Sequence, residues 1–204
     1  MNCECKNTKH SPKLIVVTGG PGAGKTATLE AAKRHFCQHV VVLPEAASLL
    51  FSGGFPRSNQ ILHRRAAQRA IFHVQKELEV LQLELSEAAV VLCDRGTVDG
   101  VAYWPGEEKQ FWLELGSTRE AEFLRYAAVI HLRTPKSEQG YNLQNPVRIE
   151  TAEEAAIIDE KIAQVWQGHI RYLTLDSTAN FLQKMILAVE LIRREIPACC
   201  QDLR

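Results

Sequence analysis

No stretch of the 204 residues runs to 18 consecutive apolar positions, so the sequence holds no candidate membrane span. Charge of one sign is not in surplus either. The 24 basic residues balance 24 acidic ones, leaving no net field to gather nucleic acid or an anionic membrane. The first twelve residues are polar and lack the apolar core of a secretory signal, so a cytoplasmic protein is expected. Six cysteines occur, at Cys3, Cys5, Cys37, Cys93, Cys199 and Cys200, but none in C-x-x-C spacing. Reduced thiols are expected in such a compartment, with Cys93 a small buried hydrophobe. A metal reading would join Cys3 and Cys5 to Cys199 and Cys200, but their spacing does not support it. The seven histidines form no H-E-x-x-H or other ligand spacing. Absent too are internal repeats and any Gly-, Ser- or Pro-rich linker. One domain over residues 1–204 is expected, with a polar tail at 1–12 and a small lid at about 133–152.

What is present is a phosphate-binding pattern. Gly19-Gly20-Pro21-Gly22-Ala23-Gly24-Lys25-Thr26 fits G-x-x-x-x-G-K-[ST], and the apolar run 14–17 leads into it as a strand would. The glycines let the backbone close around a polyphosphate with several N–H groups turned inward. Gly20, Pro21, Gly22, Ala23, Gly24, Lys25, Thr26 and Ala27 are therefore the expected nucleotide cradle. Lys25 would reach the β- and γ-phosphates and the Thr26 hydroxyl a magnesium ion, while a helix from about Lys25 adds its positive end beneath the anion.

Four further apolar runs, at 40–43, 90–93, 127–132 and 172–175, alternate with helical patterns. Such alternation predicts an α/β fold, a five-stranded parallel sheet with helices on both faces. Ile71, Val74, Leu78, Leu81 and Leu85 mark one face of a long helix. Thr151 and Glu154 form a capping box for a helix with Ile158, Ile162, Val165 and His169 on its face. Residues 176–178 offer N-caps to a last helix whose inner stripe is Leu182, Met185, Val189 and Ile192, ended by Pro197. Trp104, Trp112 and Trp166 are expected in the core or as loop anchors.

Asp94 and Arg95 end the third run, at the edge where a doubly wound sheet meets its ligand. Asp94 could hold magnesium. Arg95 stands where ATP-driven motors carry a water-activating Glu, and so favours charge stabilisation in transfer over hydrolysis. Glu45, after the second run, could accept an acceptor's proton or simply favour a helix N-terminus. Asp99 could orient Arg95 or serve a helix N-terminus in the same way. Arg133, Lys136 and Arg148 lie in the irregular segment after the fourth run; of these Arg148 is the preferred lid cation. Arg57, Arg64 and Arg65 could hold an anionic acceptor, with a solvated helix face the plainer reading for the last two.

With Thr18 to Thr26, Pro44-Glu-Ala-Ala47, Asp94-Arg-Gly-Thr-Val-Asp99 and Asn145-Pro-Val-Arg148 in this order, the chain resembles the small AAA-type ATP-binding domain family of P-loop NTPases, related to the nicotinamide riboside kinase domain. The likeness spans roughly 14–192. It implies strand order 2-3-1-4-5, a nucleoside- or nucleotide-kinase-like fold and an arginine-bearing lid.

Together these readings predict a magnesium-dependent phosphotransferase using ATP and Mg2+ on a small nucleoside-like or other metabolite acceptor. The alternative is a nucleotide-dependent switch or slow NTPase without an acceptor. Guanine reading by an Asn/Thr-Lys-x-Asp motif is not expected, because Arg133-Thr-Pro-Lys136 stands in its place. Homodimer formation is left open.

Overall fold

A computed structural model describes residues 10–85, 87–135, 151–177 and 180–201 of the chain. Arg148, Lys136 and most of the expected lid lie outside the described residues, as do Cys3 and Cys5.

Five strands, β1 (Lys13–Thr18), β2 (Val40–Leu43), β3 (Val90–Asp94), β4 (Tyr126–Leu132) and β5 (Tyr172–Leu175), form one sheet in the order β2-β3-β1-β4-β5. Every pairing is parallel. Each of the five apolar runs became a strand because both faces of such a sheet are covered, so continuous rather than alternating hydrophobicity is the correct signature.

The period-two geometry of a strand sends neighbouring side chains to opposite faces. Ile15 and Val17 of β1 and Val90 and Leu92 of β3 enter one core. Leu14, Val16, Val91 and Cys93 enter the other. The first core is closed by α1 (Lys25–His35), through Leu29 and Ala32, and by α8 (Phe181–Glu195), through Ala188 and Ile192. The second is closed by α3 (Ile61–Leu85), through Phe72, by α5 (Glu108–Leu115), through Phe111 and Trp112, and by α7 (Ala152–Trp166), through Ile162 and Trp166. Short helices α2 (Ala46–Ser52), α4 (Asp99–Tyr103) and α6 (Arg119–Phe123) are the other α-helices among the described residues.

Two helix faces differ from expectation, and His169, expected on the face of α7, lies beyond that helix's end at Trp166. The buried positions of α3 are Ala67, Phe72, Gln75 and Glu79, one residue round from the expected stripe, and Leu81 and Leu85 are exposed. The cause is a buried polar network. Glu79 accepts from Gln75 at 2.7 Å and from the Tyr126 hydroxyl at 3.0 Å, and it pairs with Arg125. These bonds fix the rotation of the helix, overriding the apolar count. In α8 the inward stripe is Lys184, Ala188 and Ile192, and Leu182 is exposed. Its N-cap is Asn180, whose side chain accepts from the Gln183 N–H at 3.1 Å, in place of a cap at 176–178. The Thr151–Glu154 capping box of α7 is present as expected. All three tryptophans are buried.

Candidate functional site

The phosphate loop leaves the C-terminal end of β1 with backbone only glycine tolerates. Gly19 has φ 142°, and a Cβ there would stand 2.1 Å from the Leu132 carbonyl. Gly24, at φ 96°, opens α1. Since α1 begins at Lys25, the N–H groups of Lys25, Thr26 and Ala27 have no intrahelical acceptor and face the cradle with the helix's positive end.

Lys25 is buried, and its ammonium donates to the carbonyls of Gly19 at 2.9 Å and Gly20 at 3.1 Å. Burial, and then the nearby Arg95 charge, push its pKa down to about 8. Two cations thus crowd one pocket. A polyphosphate between them would relieve the repulsion and raise the pKa of Lys25 again.

Arg95 is the one described non-glycine residue with positive φ, at 74°. Holding a bulky side chain there costs about 1–3 kcal/mol. The strain aims its guanidinium across the edge of the sheet. Its Nε donates to Glu45 at 2.6 Å, a terminal nitrogen donates to the Gly19 carbonyl at 3.3 Å, and the group lies over the Tyr103 ring. Burial opposes this charge, but Tyr103, Glu45 and Asp99 outweigh it and raise the pKa.

Glu45 occupies the N-cap position of α2 yet makes no side-chain cap bond. It turns to Arg95 and Ser48 instead. Burial works to raise its pKa, but Arg95, Ser48 and Lys25 prevail and lower it, so the group stays ionised.

Asp94, at the end of β3, carries the site's unexplained atom. Its Oδ1 is buried without a hydrogen-bond partner among the described residues. Burial raises its pKa against the pull of Lys25 and Arg95. Such an orphan costs about 1–3 kcal/mol unless something outside the fold satisfies it. A hard divalent cation with oxygen ligands fits: Asp94 and the exposed Thr26 hydroxyl at the start of α1 offer the oxygen donors Mg2+ prefers, with room for water and phosphate.

These groups line a cleft of about 1050 Å³. The end at the glycine-rich loop holds Pro21, Gly22, Lys25 and Thr26. The far end is formed by α2, α3 and α4, with Phe51, Ile71 and Phe72 as apolar wall and Arg57, Arg64 and Gln68 as polar contacts.

Two arginines named from the sequence are committed elsewhere. Arg65 donates to the Pro105 carbonyl and Gln110, part-buried rather than on a solvated face. Arg133 pairs with Asp159 at 3.0 Å and Glu160 at 2.7 Å, so it faces α7 and is not part of the cleft wall.

Sequence reasoning missed two groups that brace the loop from behind, Asp159 and Lys184. Asp159 accepts from the Gly20 N–H at 2.9 Å and contacts His131 Nε2 at 2.9 Å. Burial works to raise its pKa, but the bonds to His131 and Gly20 lower it. Lys184 donates to the Ala23 carbonyl at 3.0 Å and to that of Arg133. Asp99, beyond its 3.6 Å ion pair with Arg95, accepts from the Gly96 N–H at 2.9 Å, the Trp166 indole at 3.1 Å and the Thr18 hydroxyl. The signal was available: Asp159 and Lys184 sit on otherwise apolar inward stripes, where a charge must have a buried partner.

A family model described as AAA domain matches residues 14–182. A crystal structure described as that of NadR protein in complex with NR is similar in fold, with a TM-score of 0.70 at 15% identity, over 92% of this chain. This chain spans about half, 52%, of that one. No curated protein matches. The fold is thus similar to that of the NadR structure, and the glycine-rich loop at 19–26 lies within the span that the AAA domain model matches.

Proposed function

The chain belongs to the AAA domain family, and from that membership we propose that it is a magnesium-dependent phosphotransferase, moving the γ-phosphoryl of ATP to a hydroxyl of a small nucleoside-like acceptor. The observation that carries this reading is the unpartnered Asp94 oxygen, buried beside Lys25 at the mouth of an acceptor-sized space.

In this reading the loop amides and Lys25 hold the triphosphate tail. Asp94 and Thr26 would hold the magnesium ion, which when bound neutralises charge on the phosphate oxygens. Arg95 stands ready for the charge that develops as the bond to the β-phosphate oxygen breaks and the bond to the acceptor oxygen forms. Glu45, ionised and fixed by Arg95, receives a hydrogen bond from the acceptor hydroxyl and takes its proton as the oxygen commits. Holding both reactants in line supplies much of the rate in such reactions. Arg148 joins as a lid cation in the same proposal.

Arg95 also argues against a hydrolytic purpose, because it directly follows Asp94, where ATP-driven motors carry the glutamate that activates water. The far wall mixes aromatic, amide and guanidinium groups, which suits a ring-bearing polar molecule. The NR bound in the similar crystal structure makes nicotinamide riboside one acceptor to try.

The test is to incubate the protein with Mg-ATP and a panel of nucleosides, nicotinamide riboside and small phosphorylated metabolites, following ADP and the phosphorylated product. Acceptor-dependent ADP release supports transfer. Tight nucleotide binding with no acceptor dependence would move the reading to a nucleotide-driven switch.

A further inference from the structure

At the sheet edge opposite the phosphate loop, three distant segments converge: His10 before β1, residues 37–39 between α1 and β2, and the turn Ala198–Cys200 after α8. His10 Nε2, His39 Nδ1 and Cys200 Sγ all lie within 4.8 Å of one another. The sulfur is 3.5 Å from the His10 nitrogen and 4.0 Å from that of His39. Cys37 Sγ is 3.6 Å from the same His39 nitrogen. Cys200 and Cys37 are buried, as is His39, and His10 is half-buried.

Hydrogen bonding serves this arrangement poorly. A thiol has one proton to donate and is a weak acceptor, yet two imidazole nitrogens converge on one sulfur. A tetrahedral zinc ion, bound at about 2.3 Å to sulfur and about 2.0–2.1 Å to nitrogen, sets its ligand atoms roughly 3.3–3.8 Å apart. The two sulfur–nitrogen separations at Cys200, 3.5 and 4.0 Å, stand close to that interval. Mixed imidazole and thiolate donors select borderline-soft ions, zinc foremost among abundant ones.

We propose that His10, His39 and Cys200 form a structural zinc site, with Cys37, whose sulfur is 3.6 Å from the same His39 nitrogen, turning in as the fourth donor. The ion would staple the lead into β1, the entry to β2 and the C-terminal turn. It would lie at the far edge of the sheet from Lys25 and take no part in chemistry there. Binding converts each coordinating thiol to thiolate and releases its proton to solvent.

The experiment strips the reduced full chain with a chelator and titrates it with cobalt(II), then zinc. Expected are a thiolate-to-cobalt charge-transfer band, the intense visible bands of four-coordinate cobalt, displacement by one equivalent of zinc, and a rise in melting temperature on adding zinc. Cys200→Ser and His39→Gln should each weaken zinc at least tenfold, and neither should gain thermal stability from it. Retained Mg-ATP binding in those variants, measured in parallel, shows that they still fold. Absence of the thiolate band in the folded parent chain overturns the site, as does zinc stoichiometry and thermal stabilisation unchanged in both variants.

Discussion

Glu79 and Asp94 are two carboxylates withdrawn from water, and the fold treats them in opposite ways. Glu79 is fully buried and saturated: Gln75, Tyr126 and Arg125 all donate to it. The same network continues through Arg125 to Glu122, which also receives Thr97, Ser117 and Lys76. Asp94 has the cations Lys25 and Arg95 and the carboxylates Glu45 and Asp99 around it, yet one of its oxygens meets no donor. A completed network fixes how α3 and β4 pack, whereas an incomplete one marks where the molecule waits for something it does not itself contain.

The comparison can be broken at either end. Arg125→Met should leave Glu79 buried without its cation and destabilise the fold by about 3–5 kcal/mol, read as a large fall in melting temperature; a fall within the range of a surface substitution contradicts the structural role. Asp94→Asn should cut phosphoryl transfer by about a hundredfold or more. The same change should stabilise the unliganded protein by about 1 kcal/mol, since it removes a buried charge. The sign with pH follows from the raised folded pKa. The ionised Asp94 costs stability at neutral pH, and that cost disappears as pH falls through its raised value to the ordinary carboxylate range. Chemical denaturation at several pH values should therefore show the advantage of the variant shrinking in acid.

Glu45→Gln keeps the shape but loses the charge, and should lower kcat by about a hundredfold with a smaller change in ATP affinity. Unchanged transfer would leave Glu45 as a partner of Arg95 only. The mildest effect is on pH. Lys25 in the free protein loses its proton near pH 8, while bound polyphosphate would hold it charged. Affinity for ATP should then be level below that pH and fall up to about tenfold per unit above it. Calorimetry in buffers of different ionisation enthalpy should register proton uptake on binding in that window.

Much of the fold was legible because its signals were continuous. Five apolar runs became five strands, and the glycine-rich spacing up to Lys25 and Thr26 became a loop at one end of the cleft. The less legible parts depended on contacts between residues distant in sequence. The rotation of α3 follows from bonds joining Glu79 to Arg125 and Tyr126, forty-odd positions away. Asp159 and Lys184 reach the loop over still longer separations. Arg133, basic and just past β4, looked like a lid cation, yet two acidic residues of α7 hold it elsewhere. Local charge said what Arg133 could bind, and only the packing of α7 decided what it does bind.

The central claim is that the loop at residues 19–26 grips the anionic tail of a nucleoside triphosphate. Its most direct test is calorimetric titration of the purified chain with Mg-ATP, beside Lys25→Ala. One binding site per chain, abolished in the variant, is the predicted result. No heat with the parent chain, or equal binding by the variant, would contradict the account.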